Sequence, residues 1–167
     1  RNEINENQHT PSTKINHGNI PYESNETTHY SIVDQWGNAV SVTTTLNFSY
    51  GSGLAIPGTG IVLNNEMDDF SAKPGVANAY GLIGNEQNAI EANKRMLSSM
   101  SPTIVMKNNE LFLVTGSPGG SRIITTVAQI ISNVIDHDMN IAEATHAPRF
   151  HHQWKPNELR IEQFGFS

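Results

Sequence analysis

The stretch that decides the fold is TTHYSIVDQWGNAVSVTTTLN, residues 27–47. Two runs rich in β-branched residues, 28–35 and 38–46, lie on either side of Trp36-Gly37. Such side chains favour strands, whereas Gly and Asn favour the tight turn that joins two antiparallel strands. The stretch therefore predicts a β-hairpin whose first strand follows directly after Thr27.

Residues 1–26, upstream of this hairpin, are polar and rich in Asn, Glu and Pro. They offer too little apolar surface to offset the entropy lost on ordering, which predicts a disordered tail. Because the composition changes at Thr27, we expect the folded domain to occupy residues 27–167.

Downstream, a second hairpin is predicted, with strands at 103–106 and 110–115 on either side of Asn108-Asn109. Between the two hairpins, residues 64–100 are only weakly periodic. A connection of that length within one domain is usually functional or disordered, and its mixture of acids, amides and serines favours a functional one.

Two helices are predicted after the second hairpin. Apolar residues recur at steps of three and four over 122–137, which indicates an amphipathic helix. Asn140 is a candidate N-cap for a shorter helix that ends before Pro148, and residues 158–162 are a candidate strand. Two hairpins with helices behind them predict an α+β fold.

Composition excludes several classes of protein. The net charge of −6 argues against a nucleic-acid-binding surface, and no apolar run is long enough for a transmembrane helix. The chain has no cysteine, which excludes disulfides, thiolate nucleophiles and cysteine-ligated metals. Histidines at 146, 151 and 152 invite a metal interpretation, but the neighbouring pair would point to opposite faces of a strand, so we do not expect a metal site.

Thr27 allows two interpretations. It can simply begin a strand, since Thr is a good strand residue. It can also be a nucleophile, because a threonine hydroxyl is activated by the residue's own α-amine once that amine becomes the N-terminus. The ordinary pKa of such an amine is roughly 7.7–8.0, so it can act as a base near neutral pH. The second interpretation requires a chain cut directly before Thr27.

The glycine-rich segment Gly116-Ser117-Pro118-Gly119-Gly120-Ser121 lies between a predicted strand and a predicted helix. Backbone N–H groups in such a segment can face a ligand, as an oxyanion hole or a phosphate cradle requires, but a plain tight turn is equally compatible. No Lys follows the glycines, which argues against a nucleotide-binding P-loop.

Polar residues elsewhere in predicted loops form a second candidate set. Acidic residues at 66, 68 and 69 are most simply solvated surface. Grouped around a pocket, they would suit a cationic amine on a substrate, and the Ser98-Ser99 pair could bind a carboxylate.

Five segments together resemble the small subunit of the γ-glutamyltranspeptidases of bacteria, which are N-terminal nucleophile hydrolases. They are TTHYSIVDQWGNAVSVTTTLN, LNNEMDDFSAKPG, ANKRMLSSMSPTIV, VTGSPGGSRIITT and APRFHHQW, in the order of the family. The resemblance implies part of an α/β/β/α sandwich that a large subunit completes. It also implies that residues 1–26 are the tail of that large subunit, that Glu26–Thr27 is a self-cleaved bond, and that the small-subunit domain, 27–167, stops short of the family's C-terminus.

The resemblance also implies roles for particular residues. Thr27 would be the nucleophile of both self-cleavage and catalysis, and Thr45 would hydrogen-bond it. The remaining roles fall on two groups of residues. Oxyanion donors would be Gly119 and Gly120, whereas the glutamyl group would be held by Asn47, Glu66 and Asp69 at its amine, by Ser98 and Ser99 at its carboxylate, and by Tyr80 as a lid.

The implied activity is γ-glutamyl transfer or hydrolysis of glutathione and related amides. The acceptors would be water, amino acids or peptides, and the location would be periplasmic or secreted. No metal or organic cofactor is implied. One departure from the family pattern is Met96, where the family usually has a proline shortly before the serine pair.

Two alternatives remain open on the sequence. A related acylase of the glutaryl or cephalosporin type would share the Thr27 chemistry without favouring a glutamyl amine. A non-catalytic assembly domain would have neither the Thr27 chemistry nor a glutamyl-binding site, and it would leave the precursor intact.

Overall fold

The first predicted hairpin is present in the computed structural model, which describes residues 27–78, 81–155 and 157–163. Strand β1 (Thr28–Val33) pairs antiparallel with strand β2 (Ala39–Thr44), with His29 opposite Thr43. The prediction is confirmed, although each strand is shorter than the sequence suggested.

The turn of this hairpin explains the shorter strands. The Asp34 carboxylate accepts hydrogen bonds from the backbone N–H groups of Trp36 (2.9 Å) and Asn38 (2.8 Å). Gly37 adopts a positive φ of 84°. An aspartate that bonds its own following backbone makes a turn of this kind, so residues 34–38 leave the ladder.

The second predicted hairpin is also confirmed. Strand β3 (Thr103–Lys107) pairs antiparallel with strand β4 (Glu110–Thr115), with an irregularity in register after Val105. Asn108 and Asn109 have φ values of 54° and 64°. A two-residue hairpin turn requires this left-handed conformation at both positions, and Asn tolerates it better than most residues.

Helix α1 (Ile123–Asp136) follows β4 after a single short 3₁₀ turn. Its buried residues are Ile123, Val127 and Ile130, spaced at three and four residues along one face. This face contacts the next helix and the C-terminal sheet.

Helix α2 (Ile141–His146) begins at the predicted N-cap. The Asn140 side chain accepts a hydrogen bond from the Glu143 N–H (3.0 Å), and the Glu143 carboxylate accepts one from the Asn140 N–H (2.9 Å). These two bonds form a capping box. Ala144 is fully buried against α1.

The C-terminal sheet was only partly predicted. Strand β5 (Phe150–His151), which the sequence analysis missed, pairs with strand β6 (Arg160–Ile161), which lies within the predicted strand 158–162. Strand β5 has only two residues, and no alternating run in the sequence marks it. Arg149 closes this sheet with a 2.9 Å ion pair to Glu162.

Residues 64–100 contain no helix longer than a 3₁₀ turn within their described part. The two turns are Glu66–Asp69 and Glu86–Asn88. Isolated bridges, such as Ser71 to Ala89, fix the path of the chain between them.

The described chain has a small core and much exposed apolar surface. Its buried apolar residues are Phe70, Leu113, Ile123, Val127, Ile130 and Ala144. The two long hairpins contact each other without sharing a ladder, and the Ser41 hydroxyl donates to the Thr115 carbonyl (3.1 Å) between them. The α+β prediction is confirmed. None of the helices in the described ranges is long and apolar enough to cross a membrane.

Candidate active site

Thr27 and Thr45 face each other at the open end of the first hairpin. Thr27 precedes β1 and Thr45 follows β2, so the antiparallel register brings them together. The Thr27 hydroxyl donates a hydrogen bond to the Thr45 hydroxyl over 3.3 Å, and the Thr27 residue is only 7% exposed. A hydroxyl held in one direction by a neighbouring acceptor is oriented before any reaction begins.

The loop after Thr45 folds back onto the Thr45 hydroxyl. Thr45 Oγ1 also accepts a hydrogen bond from the Asn47 N–H (2.9 Å). Asn47 is buried and has a positive φ of 75°, a conformation that asparagine tolerates. Its side-chain amide donates to the Asn65 carbonyl (3.2 Å), and the Asn65 side chain accepts from the Phe48 N–H (2.9 Å). Asn65 thereby fixes this loop next to the first 3₁₀ turn.

Glu66 and Asp69 form a carboxyl pair on that turn. Burial, followed by the hydrogen bond and the charge of Asp69, raises the pKa of Glu66 to about 7. Burial also raises the pKa of Asp69, while its hydrogen bond to Glu66 opposes that increase. Two carboxyl groups in such a site favour sharing a proton, and a bound cation would replace that proton.

A cleft of about 370 Å³ opens beside this pair, with Asp69 and Ser99 among its lining residues. Asn88 holds two walls of the cleft together. Its side-chain amide donates to the Asp69 carbonyl (2.7 Å), and its side-chain oxygen accepts from the Leu97 N–H (2.9 Å). Glu66 and Ser98 are not among the residues that line the cleft.

The two serines are both engaged with the backbone. The Ser98 hydroxyl accepts from the Met100 N–H (3.3 Å), and the Ser99 hydroxyl donates to the Gly120 carbonyl (2.9 Å). Ser99 therefore joins the cleft to the glycine-rich segment. To bind a carboxylate, its hydroxyl would have to leave that carbonyl.

Gly119 occupies a conformation that only glycine readily adopts, and Gly120 lies in the left-handed region that glycine favours. Gly119 has φ 130° and ψ 20°, and Gly120 has φ 56°. The 3₁₀ turn Gly120–Arg122 starts here and runs into α1. The positive end of the helix therefore adds to the field of the backbone N–H groups in this segment.

The neighbouring histidines His151 and His152 each form hydrogen bonds within the fold. His151 is buried, with its ring nitrogens hydrogen-bonded to Thr125 (2.8 Å) and Gln153 (2.9 Å). His152 bonds to Asn157 (3.0 Å). Within the described ranges, no three histidine or acidic side chains are grouped as a metal site would require.

The structure thus links most of the predicted site residues in one continuous series. Hydrogen bonds lead from Thr27 to Thr45 and Asn47, then to the turn that carries Glu66 and Asp69. The cleft joins Asp69 to Ser99, and Ser99 bonds to Gly120. Tyr80 lies outside the described residues.

Sequence reasoning missed two asparagines that organise this site. Asn88 uses both ends of its side-chain amide to bind backbone groups of two segments, whereas Asn65 binds the loop at 47–48 with its side-chain oxygen and its backbone carbonyl. Asn65 lies within one of the segments that carry the resemblance, but an asparagine in a polar loop gives no signal of its long-range partners.

The fold matches solved N-terminal nucleophile hydrolases and places the chain in that structural class. A family model described as gamma-glutamyltranspeptidase matches residues 1–167. The chain belongs to the γ-glutamyltranspeptidase family.

Three relatives illustrate the similarity. The glutathione hydrolase proenzyme of Escherichia coli (strain K12) is 63% identical over 166 residues, which are 99% of this chain and 28% of that protein. The crystal structure of a mutant of Helicobacter pylori γ-glutamyltranspeptidase is 72% identical, with a TM-score of 0.81 over 84% of this chain and 75% of that one. A crystal structure of acivicin-inhibited γ-glutamyltranspeptidase, which reveals critical roles of that protein's C-terminus in autoprocessing and catalysis, has the same identity and TM-score over 84% and 74%.

The chain spans only 27–28% of the length of the first curated relatives that it matches.

Proposed function

We propose that this chain is the catalytic part of an enzyme that transfers or hydrolyses the γ-glutamyl group of glutathione and other γ-glutamyl amides. The observation that carries the proposal is the hydroxyl of the buried residue Thr27, which Thr45 orients at the open end of the first hairpin. Hydrogen bonds connect this end of the hairpin to the acidic turn Glu66–Asp69. Curated relatives named as glutathione hydrolase proenzymes support the choice of substrate and the need for processing.

Maturation is the first step of the proposed mechanism. The Thr27 hydroxyl attacks the carbonyl carbon of Glu26, the C–N bond breaks, and an ester forms on Thr27 while its α-amine is released. Water then cleaves the ester and leaves a carboxylate on Glu26. Residues 1–26 become the tail of the large subunit, and residues 27–167 the small-subunit domain.

Turnover uses the amine that maturation releases. The α-amine of Thr27 takes the hydroxyl proton while Oγ1 attacks the γ-carbonyl carbon of the substrate. The proton passes to the departing amine as the amide bond breaks, and a γ-glutamyl ester remains on Thr27. Water, an amino acid or a peptide then attacks that ester and regenerates the hydroxyl.

Stabilisation of the oxyanion is assigned to the backbone N–H groups of Gly119 and Gly120. The negative charge on the carbonyl oxygen grows as Thr27 attacks, and donors fixed at a helix start need no reorganisation to meet it. Their conformations, which a side chain would strain, support this role.

The glutamyl group is a zwitterion, and the proposed pocket matches both of its charges. Glu66, Asp69 and Asn47 bind the α-ammonium group, whose positive charge would oppose the burial that raises the pKa values of the two carboxyl groups. Ser98 and Ser99 contact the α-carboxylate. Tyr80 is assigned to the lid over this pocket.

The proposed partner is the large subunit of the same precursor. Exposed apolar side chains on β1, β3 and α1 support a protein partner, because an isolated domain rarely leaves so many uncovered. Examples are Ile32 (57% exposed), Met106 (56%) and Ile124 (55%). This chain covers only 27–28% of the length of the curated relatives, which supports the same conclusion.

We place the enzyme in the periplasm or outside the cell by family resemblance, and we assign it no metal or organic cofactor. A chain without cysteine is compatible with that location.

The proposal is tested on the full precursor that contains this chain. N-terminal sequencing of the active enzyme is expected to find Thr-Thr-His-Tyr, and an intact Glu26–Thr27 bond in active enzyme would refute the mechanism. Rates on γ-glutamyl and glutaryl anilides separate the substrates. Faster hydrolysis of the glutaryl compound would favour the acylase alternative, and an uncut, inactive precursor would favour an assembly domain.

A further inference from the structure

We propose that His29 is a positioning residue that fixes the glycine-rich oxyanion segment relative to the nucleophile Thr27. The inference rests on the function proposed above and adds a residue to which that function gives no role. It follows from three observations about the inner face of the first hairpin.

The first observation is that His29 lies on the same face of the hairpin as Thr27. Residues two apart in a strand point to the same side, so Thr27, His29 and Ser31 form one row. Thr43 lies opposite His29 in the register, two residues before Thr45. The imidazole is therefore the next side chain along the row that carries the nucleophile.

The second observation is that both ring nitrogens of His29 have partners. Nδ1 lies 2.8 Å from the Thr43 hydroxyl and Nε2 lies 3.0 Å from the Ser31 hydroxyl. Burial lowers the pKa of His29, which favours the neutral ring near pH 7. A neutral imidazole has one donor and one acceptor, and hydroxyl groups can satisfy both. The ring is thus held in one orientation without a charge.

The third observation is that the ring packs onto the start of the oxyanion segment. A Cβ atom added to Gly116 would overlap the His29 ring, so only glycine leaves room for it there. Gly116 is the first residue of the segment that contains Gly119 and Gly120. The face of the imidazole therefore defines how closely that backbone approaches the hairpin.

A hydrogen bond near this contact keeps the segment from sliding. The Ser41 hydroxyl donates to the carbonyl of Thr115, the residue directly before Gly116. One side of the contact is thus fixed by a hydrogen bond and the other by the ring. Displacing catalytic groups by about 1 Å can reduce a rate by about 10²-fold. Loss of the ring should therefore lower kcat and leave KM, which depends on the acidic turn and the cleft, nearly unchanged.

The test is a double-mutant cycle in the full precursor, measured on matured enzyme with a γ-glutamyl anilide. His29→Ala and Gly116→Ala are each expected to lower kcat about 10–100-fold and to change KM less than about threefold. The double variant is expected to be no slower than the slower single variant, because the added methyl group no longer meets a ring. Losses that multiply, or losses that fall on KM, would overturn the proposal.

Two further variants keep the result interpretable. If His29→Ala does not mature, His29→Asn replaces it, since its amide can still bond to Thr43 but leaves the space above Gly116 open. The double-mutant cycle is then measured with His29→Asn and Gly116→Ala, and the same outcomes support or overturn the proposal. His146→Asn is the matched control, because His146 is exposed and its ring hydrogen-bonds to the Ala142 carbonyl of its own helix. Absence of γ-glutamyl turnover in the unaltered enzyme would refute the proposed function itself. Losses that multiply in the double variant would refute only the role of His29.

Discussion

The first hairpin and the connection 64–100 both carry proposed site residues, but they position them by different means. In the hairpin, Thr27 and Thr45 meet because a regular antiparallel ladder brings its two ends together. In the connection, Asp69 is positioned by a 3₁₀ turn and by one hydrogen bond that the Asn88 side chain donates to its backbone carbonyl.

This difference suggests a division of labour. A ladder of many backbone bonds resists small displacements, which suits a nucleophile whose attack depends on direction. A loop held by a few side-chain bonds can differ among relatives without disturbing the sheet. We therefore expect changes in the hairpin and the oxyanion segment to affect kcat, and changes in the connection to affect KM.

The largest effect is expected for Thr27→Ala. Removal of the proposed nucleophile should abolish cleavage of the precursor and lower γ-glutamyl turnover by about 10⁴-fold or more, as for nucleophiles in other hydrolases. Gel analysis and anilide hydrolysis measure the two effects. Thr28→Ala is the matched control, since Thr28 is exposed and lies opposite Thr44 in the ladder. Normal maturation of Thr27→Ala would contradict the assignment.

The next largest effect is expected for Gly119→Ala. A side chain strains a backbone with φ 130°, and a displaced N–H group no longer meets the oxyanion, so kcat should fall by about 10²–10³-fold. Gly58→Ala provides the comparison, because Gly58 also has a positive φ of 77° but lies in a different loop. An equal loss of kcat in both variants would mean that strain alone is responsible.

A smaller effect, on substrate binding, is expected for Glu66→Gln. The charged bond to the substrate amine is lost, and kcat/KM at pH 8 should fall by about 10–100-fold. In the unaltered enzyme, kcat/KM should rise as the pH increases through about 7, because deprotonation creates the carboxylate that binds the amine. The variant should lose the part of that rise due to Glu66 and keep the part due to deprotonation of the Thr27 α-amine, at roughly pH 7.7–8.0. Glu86→Gln, on the exposed second 3₁₀ turn, should retain the whole rise.

The same carboxyl group has the opposite effect on stability. The pKa of Glu66 is higher in the folded chain than its ordinary value of 4.5. Its stabilising contribution to the free energy of unfolding is therefore fully present below pH 4.5 and is lost as the pH rises through about 7. Glu66→Gln should remove this decrease in the free energy of unfolding, as denaturant titrations at pH 5 and pH 8 would show. Unchanged pH dependence would mean that Glu66 titrates normally in the folded protein.

A modest effect is expected for Asn88→Ala, which removes both bonds between the walls of the cleft. KM should rise about fivefold to tenfold while kcat changes little, since one or two hydrogen bonds are lost away from Thr27. Asn85→Ala is the control, because the Asn85 side chain makes no capping bond. A loss confined to kcat would break the proposed division between the hairpin and the connection.

The smallest effect is expected for Met96→Pro, which restores the proline usual in the family. A compatible proline should stabilise the fold by about 0.4–1 kcal/mol and lower KM slightly. Leu97→Pro, one position further, removes the N–H group that bonds to Asn88 and should raise KM instead. Thermal unfolding and initial rates distinguish the two variants, and destabilisation by Met96→Pro would show that the position rejects proline.

The features that the sequence predicts also differ between the regular elements and the connection 64–100. Both long hairpins and both helices were predictable, because β-branched runs, the Asn108-Asn109 turn and the Asn140 cap are local signals. Strand β5 was not, since two residues show no pattern. The roles of Asn65 and Asn88 were also hidden, because a long-range bond from a loop amide depends on a tertiary structure that no local pattern encodes.

Each sheet in the described part of the chain has only two strands, so every strand there has one open edge. Open edges recruit other strands, whether correct or not. Produced alone, this polypeptide should aggregate when concentrated. In the proposed precursor, strands of the large subunit would cover these edges during synthesis, and cutting the backbone afterwards would not separate the two parts.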